Sequence, residues 1–146
     1  MMSNAPEIYF FNEQVSFQLR EKKKIRAWII QTIENEEYKP GVLNFIFTND
    51  DLLVQLNKEY LKHFTLTDII TFDLSDSNGI VEGDIYISIE RAKENARAYK
   101  EPFQREVRRL IIHGVLHLLG YKDKTKAQQD EMRAREEYYL SLPPWA

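Results

Sequence analysis

The sequence of 146 residues contains no cysteine. This absence excludes disulfide bonds, thiolate zinc sites and thiol nucleophiles, and it fits a reducing compartment. No apolar stretch approaches the roughly 18 residues that a membrane-spanning helix needs. The first residues also lack a basic segment followed by an apolar core, so we expect neither a membrane span nor a signal peptide. These absences together predict a cytoplasmic protein.

Histidine is scarce as well, with only three in the chain, whereas the rest of the composition is ordinary. Hydrophobic residues make up 43% of the sequence and charged residues 29%. Such values are typical of a soluble globular protein, and the length predicts a single domain over residues 1–146. The net charge of −3 does not by itself indicate a nucleic-acid-binding protein. Basic residues nevertheless cluster at 20–26 and 105–109, which form either a surface for polyanions or solvated helix faces.

Strand-like and helix-like patterns alternate along the chain. The predicted strands are Ile8–Phe11, Val42–Thr48, Ile69–Leu74 and Ile80–Ile89. The predicted helices are Gln18–Glu36, one that begins after Asn49 or Asp50, Ser88–Lys100, Pro102–Leu119 and Ala127–Leu140. The pair Pro40-Gly41 predicts a break between elements. We therefore expect an α+β fold with a single small mixed sheet of about four strands packed with helices.

The most informative segment reads His113-Gly-Val-Leu-His117-Leu-Leu-Gly120-Tyr-Lys-Asp123. Two histidines four residues apart lie on one face of a helix. Gly120 can end that helix in a left-handed conformation and turn the chain sharply, which would bring Asp123 back towards the imidazoles. Three ligands with an open fourth position are typical of a catalytic metal site. The alternative is that both histidines are core residues that hydrogen-bond to the backbone.

The helix that carries the histidines is apolar on all sides. Between Leu110 and Leu119, every residue other than Gly114 and the two histidines is aliphatic, which predicts a buried central helix. Burial disfavours the imidazolium ion and therefore keeps both rings neutral and available as ligands. The sequence thus predicts a metal site on a buried central helix.

The same spacing occurs in the metzincin peptidases, where a third ligand follows the glycine. Those enzymes carry a glutamate directly after the first histidine as the general base. In this chain that position is Gly114. A metallopeptidase therefore ranks below the other interpretations.

At this point the sequence resembles a known family. The run His113–Tyr121 is similar to the signature of the YbeY family, bacterial rRNA maturation factors that are single-strand-specific endoribonucleases. Further upstream, Leu56-Asn57, Tyr60 and Thr67–Phe72 resemble family blocks at matching spacing, and so does Gly83-Asp84-Ile85. The resemblance covers roughly residues 45 to 125 in the family's order.

The resemblance implies a metal-dependent single-strand endoribonuclease that acts in 16S rRNA 3′-end maturation and in ribosome quality control. It implies one zinc ion, or another divalent metal, held by His113, His117 and Asp123, with both histidines acting in catalysis through the metal. The implied partners are single-stranded rRNA and the small ribosomal subunit, and also ribosomal proteins or an assembly GTPase. Neither DNA nor a membrane is expected. The cationic walls of an RNA groove would come from two sets of residues: Arg105, Arg108 and Arg109, and Lys122, Lys124 and Lys126.

Two positions depart from the family pattern. The family usually has a third histidine where this chain has Asp123, and a carboxylate remains an acceptable zinc ligand. The family's arginine after the tyrosine, which is suited to gripping phosphate, is replaced by Leu61. Lys62 or His63 can supply a cation instead, and we take Lys62 as the candidate phosphate contact.

The alternative function is that of a ribosome-assembly factor that binds RNA or protein, with a structural metal and weak or no catalysis.

Two acidic residues in the upstream blocks are candidates for supporting roles. Asp84, in a strand, is a candidate to orient one of the histidines from behind. Asp68 follows Thr67 and can cap a turn. We expect neither of them to be a catalytic residue.

Overall fold

A computed structural model describes residues 5–61, 67–76 and 79–145. In those ranges the chain forms four β-strands, five α-helices and one π-helical turn. The strands are β1 (Glu7–Asn12), β2 (Lys39–Thr48), β3 (Ile69–Asp73) and β4 (Ile80–Ser88). The helices are α1 (Lys22–Asn35), α2 (Asp50–Leu56), α3 (Ile89–Tyr99), α4 (Phe103–Leu118) and α5 (Lys126–Leu140), and the π-helical turn Asn57–Leu61 follows α2.

The strands form one mixed sheet in the order β1-β2-β4-β3. The β1-β2 and β2-β4 pairs are parallel, whereas β3 and β4 are antiparallel. The predicted α+β class with a small mixed sheet is therefore confirmed. Each predicted strand and helix exists, with ends that differ by a few residues.

The predicted break at Pro40-Gly41 is wrong, because both residues lie inside β2. Two features let the strand continue. First, β1 begins to pair with β2 only at Val42, so no acceptor on β1 is left unpaired because Pro40 lacks an N–H group. Second, the pairing with β4 shifts register between Pro40 and Leu43, where the backbone N–H of Val42 donates to the Glu82 carboxylate at 2.8 Å.

The core lies between one face of the sheet and the helices, with α4 at its centre. The sheet contributes Phe45 and Ile85, and both side chains are fully buried. Helices α1, α3 and α4 pack over this face, and α5 packs on α4. All seven aliphatic residues from Leu110 to Leu119 are buried, so the prediction of a buried central helix is confirmed. In the described part of the chain, no helix is both long enough and apolar enough to cross a membrane.

Gly114 explains how α4 can lie so close to the sheet. A Cβ atom added at this position would lie 2.7 Å from Cγ2 of Ile85 and 3.0 Å from Cδ1 of Ile69. Residue 114 therefore faces the strands, while His113 faces α5 and contacts Glu136 there.

Candidate metal centre

The two histidines lie one turn apart on α4, close to its C-terminal end. Their Nε2 atoms are 3.0 Å apart, and the side chains are 13% and 23% exposed for His113 and His117. From Arg109 to Leu119 every residue other than these two is buried, so in this part of the helix the two histidines alone reach solvent. The spacing of four residues thus places both imidazoles at one point, as predicted.

The end of α4 turns the chain back towards these rings. Gly120 has a φ of +104°, a conformation that residues with a Cβ rarely adopt. The Gly120 N–H donates to the His117 carbonyl and the Tyr121 N–H to the Leu116 carbonyl, both at 3.0 Å, as in a Schellman motif. The chain then returns so that Oδ2 of Asp123 lies 3.3 Å from Nε2 of each histidine. The structure therefore brings together all three residues predicted as ligands.

The loop that carries Asp123 is also fixed from its far side. Thr125 caps α5 by accepting a hydrogen bond from the Gln128 N–H. The Gln128 side-chain oxygen accepts in return from the backbone N–H groups of Lys124 and Thr125. This capping box sets where α5 begins and holds the loop between the two helices.

The second nitrogen of each imidazole has its own partner. Nδ1 of His117 lies 3.0 Å from the carbonyl oxygen of Tyr121. Nδ1 of His113 lies 2.5 Å from Oε2 of Glu136, a residue of α5 that is 1% exposed. A carbonyl can only accept, so Nδ1 of His117 carries the proton. Glu136 is ionised as well, because its hydrogen bond with His113 and the charge of Arg109 outweigh burial and lower the pKa of the carboxyl group.

These partners leave three acceptor atoms facing one another. With both Nδ1 atoms protonated, both Nε2 atoms present lone pairs, and Asp123 adds a carboxylate oxygen. Burial, followed by the neighbouring His113, lowers the pKa of His117. His117 is therefore neutral at neutral pH, and no proton on it relieves the repulsion between the facing acceptor atoms. The edges of 3.0, 3.3 and 3.3 Å match one face of a zinc tetrahedron, whose edge is about 3.3 Å for bonds of about 2.0 Å. This group could hold a metal ion.

Two cavities border the three residues. One of about 400 Å³ is lined by His113 and Asp123 together with Arg133. The other, of about 350 Å³, is lined by His117 and Asp123 together with Lys122 and Lys124. Asp123 belongs to both cavities, and its side chain is 39% exposed. A ligand can therefore approach the three acceptor atoms from either side and meet a cation there.

The other predicted residues differ in what the structure says of them. Lys62 and His63 lie outside the described residues, so the predicted phosphate contact stays a prediction. Leu61 ends the π-helical turn and is 41% exposed. Asp84 does not orient a histidine, because it lies on the opposite face of β4 from Ile85 and accepts a hydrogen bond from Asn44 at 3.0 Å.

Each arginine of the predicted RNA wall already has a partner within the fold. Arg109 is 6% exposed and pairs with Glu106 and Glu136. Arg108 lies over the Trp145 ring, and Arg105 pairs with Glu137. Of the predicted lysines, Lys122 and Lys124 line the cavity beside Asp123, whereas Lys126 pairs with Asp130 at 2.6 Å.

Glu136 is the residue that sequence reasoning missed. Its signal is an acid on an otherwise apolar stripe, because Met132, Tyr139 and Leu140 are the other buried residues of α5. An acid at a buried helical position requires a partner. The pattern therefore marks Glu136 as special, although it does not name His113 as the partner.

Comparison with known proteins places this site in a family. The family model described as Endoribonuclease YbeY matches residues 7–142. The chain belongs to the YbeY family. A relative from Cytophaga hutchinsonii named Endoribonuclease YbeY is 46% identical over 135 residues, which cover 92% of this chain and 94% of the relative. Another of that name, from Amoebophilus asiaticus, is 47% identical over 133 residues, or 91% of this chain and 90% of the relative.

A solved structure shares the fold of this chain. The solution structure of a Thermotoga maritima protein aligns with a TM-score of 0.56 and covers 91% of this chain and 89% of its own. The identity is 23%, so this likeness concerns the fold alone. The family model and the curated relatives confirm the resemblance carried by the histidine segment and the upstream blocks at the level of the family.

Proposed function

We propose that this YbeY-family chain is a metal-dependent endoribonuclease that cleaves single-stranded RNA. Its role would be 16S rRNA 3′-end maturation and ribosome quality control. The observation that carries the proposal is the triangle of three acceptor atoms from His113, His117 and Asp123, open to solvent in a family named for endoribonuclease activity. Acceptors at such short separations need a cation between them.

The proposed cofactor is one Zn²⁺ ion per chain, held by these three residues. When bound, the metal would polarise a phosphate oxygen or lower the pKa of a bound water. Two neutral imidazoles and one carboxylate form an ordinary zinc donor set. The carboxylate of Asp123 adds a negative charge that a third histidine would not, which makes the metal a weaker Lewis acid and gives other divalent metals a better chance.

The imidazoles themselves are not free to move protons in this arrangement. Each Nδ1 already donates, to Glu136 in His113 and to the Tyr121 carbonyl in His117. Each Nε2 faces the proposed metal. The proton acceptor for the attacking hydroxyl, whether it belongs to water or to the RNA 2′-hydroxyl, is therefore neither histidine.

The cations around the site suit a phosphodiester chain. Arg133 lies on the His113 side, while Lys122 and Lys124 lie on the His117 side. A single strand that crosses the site would place one phosphate at the metal and its neighbours near these side chains. Lys62 remains a further proposed phosphate contact.

The wider biological setting follows from the same proposal. We expect one domain over residues 1–146 that acts in the cytoplasm on single-stranded rRNA in the small ribosomal subunit. Ribosomal proteins or an assembly GTPase are the proposed protein partners.

One observation favours a second candidate function. Leu61 replaces the arginine that the family pattern has after the tyrosine, so a phosphate grip is missing there. A ribosome-assembly factor that binds RNA or protein, with a structural metal and weak catalysis, is compatible with that loss. A peptidase is not supported, because position 114 faces Ile85 and leaves no space for a glutamate side chain.

The test compares metal-loaded wild-type protein with the variants His113→Ala and Asp123→Ala. Each receives single-stranded RNA, structured RNA and a generic peptide. We expect metal-dependent cleavage of the single-stranded RNA by the wild type and its loss in both variants. Asp84→Ala is the matched control, because it removes an acid from the far face of β4, and its cleavage should equal that of the wild type.

RNA binding without cleavage by any of the proteins would support the assembly factor instead. Cleavage that survives in His113→Ala at the wild-type rate would come from a contaminating nuclease or from another site, and it would contradict the proposal. Peptide cleavage that depends on His113 would overturn both RNA interpretations.

A further inference from the structure

A buried group of charged and polar side chains lies behind His113. Arg109 donates to both oxygens of Glu106, at 2.8 and 2.6 Å, and its Nη1 donates to Oε1 of Glu136 at 3.0 Å. The Asn95 amide donates to Oε2 of Glu106 at 3.0 Å and to Asp68 at 3.1 Å. Hydrogen bonds therefore link α3, α4 and α5 to the start of β3. Glu106 and Arg109 are nearly as buried as Glu136, at 2% and 6% exposed.

Glu136 uses its two oxygens for different partners. Oε1 accepts from Arg109 and lies 3.9 Å from the guanidinium of Arg133. Oε2 is left for Nδ1 of His113 alone among the described contacts, at 2.5 Å. The arginine therefore occupies one carboxylate oxygen and leaves the other to accept from the imidazole N–H.

Stability alone is a weak reason for this arrangement. Three buried charges are expensive to desolvate, and apolar side chains of similar volume commonly give an equally stable core. Glu136 also lies between Met132 and Tyr139 on the buried stripe of α5, where an apolar residue would pack without needing a partner. The oxygen directed at His113 is the part of this arrangement that a core of hydrocarbon would not provide.

We propose that Glu136 is a positioning residue that holds His113 in the tautomer and orientation required of a metal ligand, with Arg109 holding Glu136. The inference rests on the proposed metal site. A carboxylate on Nδ1–H keeps the Nε2 lone pair directed at the metal and makes the imidazole a stronger donor. Glu106, Asn95 and Asp68 support Arg109 from behind and so complete the positioning.

The isosteric variant Glu136→Gln tests this role with little change in shape. Its amide oxygen must face Arg109, because the guanidinium can only donate. The amide NH₂ group then faces Nδ1 of His113 and donates to it, which favours the tautomer with the proton on Nε2. We expect zinc affinity to fall about 10- to 100-fold, measured by competition with a chromophoric chelator. Glu137→Gln is the matched control, because that side chain is 49% exposed and pairs with Arg105, and its zinc affinity should equal that of the wild type.

A second readout follows the proton directly. Long-range ¹H–¹⁵N NMR of the metal-free proteins should show His113 protonated on Nδ1 in the wild type and on Nε2 in Glu136→Gln. His117 should keep its Nδ1 proton in both proteins, because its partner is the backbone carbonyl of Tyr121. A purely structural Glu136 would leave the His113 tautomer unchanged.

The outcomes separate the two proposals. If the wild type binds zinc and Glu136→Gln binds it equally well with an unchanged tautomer, the positioning role is wrong and the metal site stands. If the wild type binds no zinc, the proposed function fails, and the NMR comparison still decides whether Glu136 sets the His113 tautomer. If Glu136→Gln does not fold, a wild-type His113 protonated on Nε2 would by itself overturn the inference.

Discussion

His113 and His117 are one helical turn apart, yet the molecule holds their rings in two different ways. The ring of His117 is held by the backbone, because its partner is the Tyr121 carbonyl in the turn made by Gly120. The ring of His113 is held by a side chain from another helix, which a buried arginine holds in turn. We call these the backbone-held half and the side-chain-held half of the site.

The two halves differ in which part of the sequence determines the hydrogen bond that holds the ring. The backbone-held half needs only the short segment from the ligand to the carbonyl, and its acceptor is a backbone oxygen that every residue at position 121 would carry. The side-chain-held half requires that α5 pack on α4 in the correct register, 23 residues later in the sequence. It is therefore the half whose hydrogen-bond partner a single substitution can remove, and the half that a change in packing can destroy.

The largest effect should come from removing the arginine of the side-chain-held half. Arg109→Met leaves the carboxylates of Glu106 and Glu136 buried without their cation. In the wild type, burial on its own would lower the pKa of Arg109, but these two carboxylates raise it. Breaking a buried ion pair from one side costs about 3 to 5 kcal/mol. We expect a loss of that size in the free energy of unfolding, measured in urea.

Arg105→Met is the matched control for that change. Arg105 lies one turn earlier on α4, and its partners Glu101 and Glu137 are both more than a third exposed. Exposed pairs contribute about 0 to 1 kcal/mol. Equal losses in the two variants would mean that the buried network contributes nothing particular to the fold.

A smaller effect should follow from straining the backbone-held half. Gly120→Ala puts a Cβ on a residue with φ of +104°, and a positive φ costs an L-residue about 1 to 2 kcal/mol. Because space is open around the added atom, the cost is backbone strain rather than a clash. Relief of that strain would move the Tyr121 carbonyl and Asp123, so zinc affinity should fall together with stability.

Gly79→Ala separates those two effects. Gly79 has a φ of +80° and equally open surroundings, but it lies before β4 and lines neither cavity beside the histidines. Urea unfolding should show a similar loss of stability in both variants, whereas a chelator competition should show weaker zinc binding in Gly120→Ala only. If Gly79→Ala weakens zinc equally, the turn at Gly120 has no special part in the site.

The same comparison explains what the sequence predicts correctly. The His-x-x-x-His spacing, the glycine and the acid three residues later describe a local path, and local geometry alone brings Asp123 to the rings. The apolar run around the histidines likewise identifies α4 as the central helix. These features depend on residues within one or two helical turns of each other, which is the range over which a pattern is informative.

The features that the sequence does not predict all depend on contacts between distant segments. The strand pattern favours a role for Asp84 behind the histidines, but the alternation of β4 turns its side chain to the other face. Charge alone favours Arg109 as part of an RNA wall, whereas the fold buries it between two acids. The helix register that pairs Glu136 with His113 is decided by the packing of α5 and is not visible in either helix alone.

The smallest effect on stability concerns a second side chain of α5, that of Tyr139. This residue is buried, its hydroxyl donates to Glu36, and burial followed by that hydrogen bond raises the pKa of Tyr139 to about 12. Tyr139→Phe should cost about 1 kcal/mol at neutral pH. The raised pKa means that the hydroxyl contributes fully below pH about 10, the unfolded value, and that this contribution is lost as the pH rises towards about 12.

The difference in unfolding free energy between wild type and Tyr139→Phe should therefore shrink over that window, measured by urea unfolding at a series of pH values. Tyr121 also donates to Glu36, so its ionisation is present in both proteins. The ionisation of Tyr121 cancels in the difference between the two proteins when the phenyl ring of Tyr139→Phe leaves Glu36 in place. The titration of Tyr121 is therefore measured separately in both proteins. A difference that stays constant up to pH about 12 would contradict the raised pKa of Tyr139.

Tyr139→Phe also tests whether the side-chain-held half depends on the Glu136 carboxylate or only on the position of α5. Zinc affinity at neutral pH should be unchanged in Tyr139→Phe, because the carboxylate of Glu136 still reaches His113. The chelator competition used for Glu136→Gln measures it. A loss as large as that in Glu136→Gln would show that the position of α5, rather than the charge it carries, holds the imidazole.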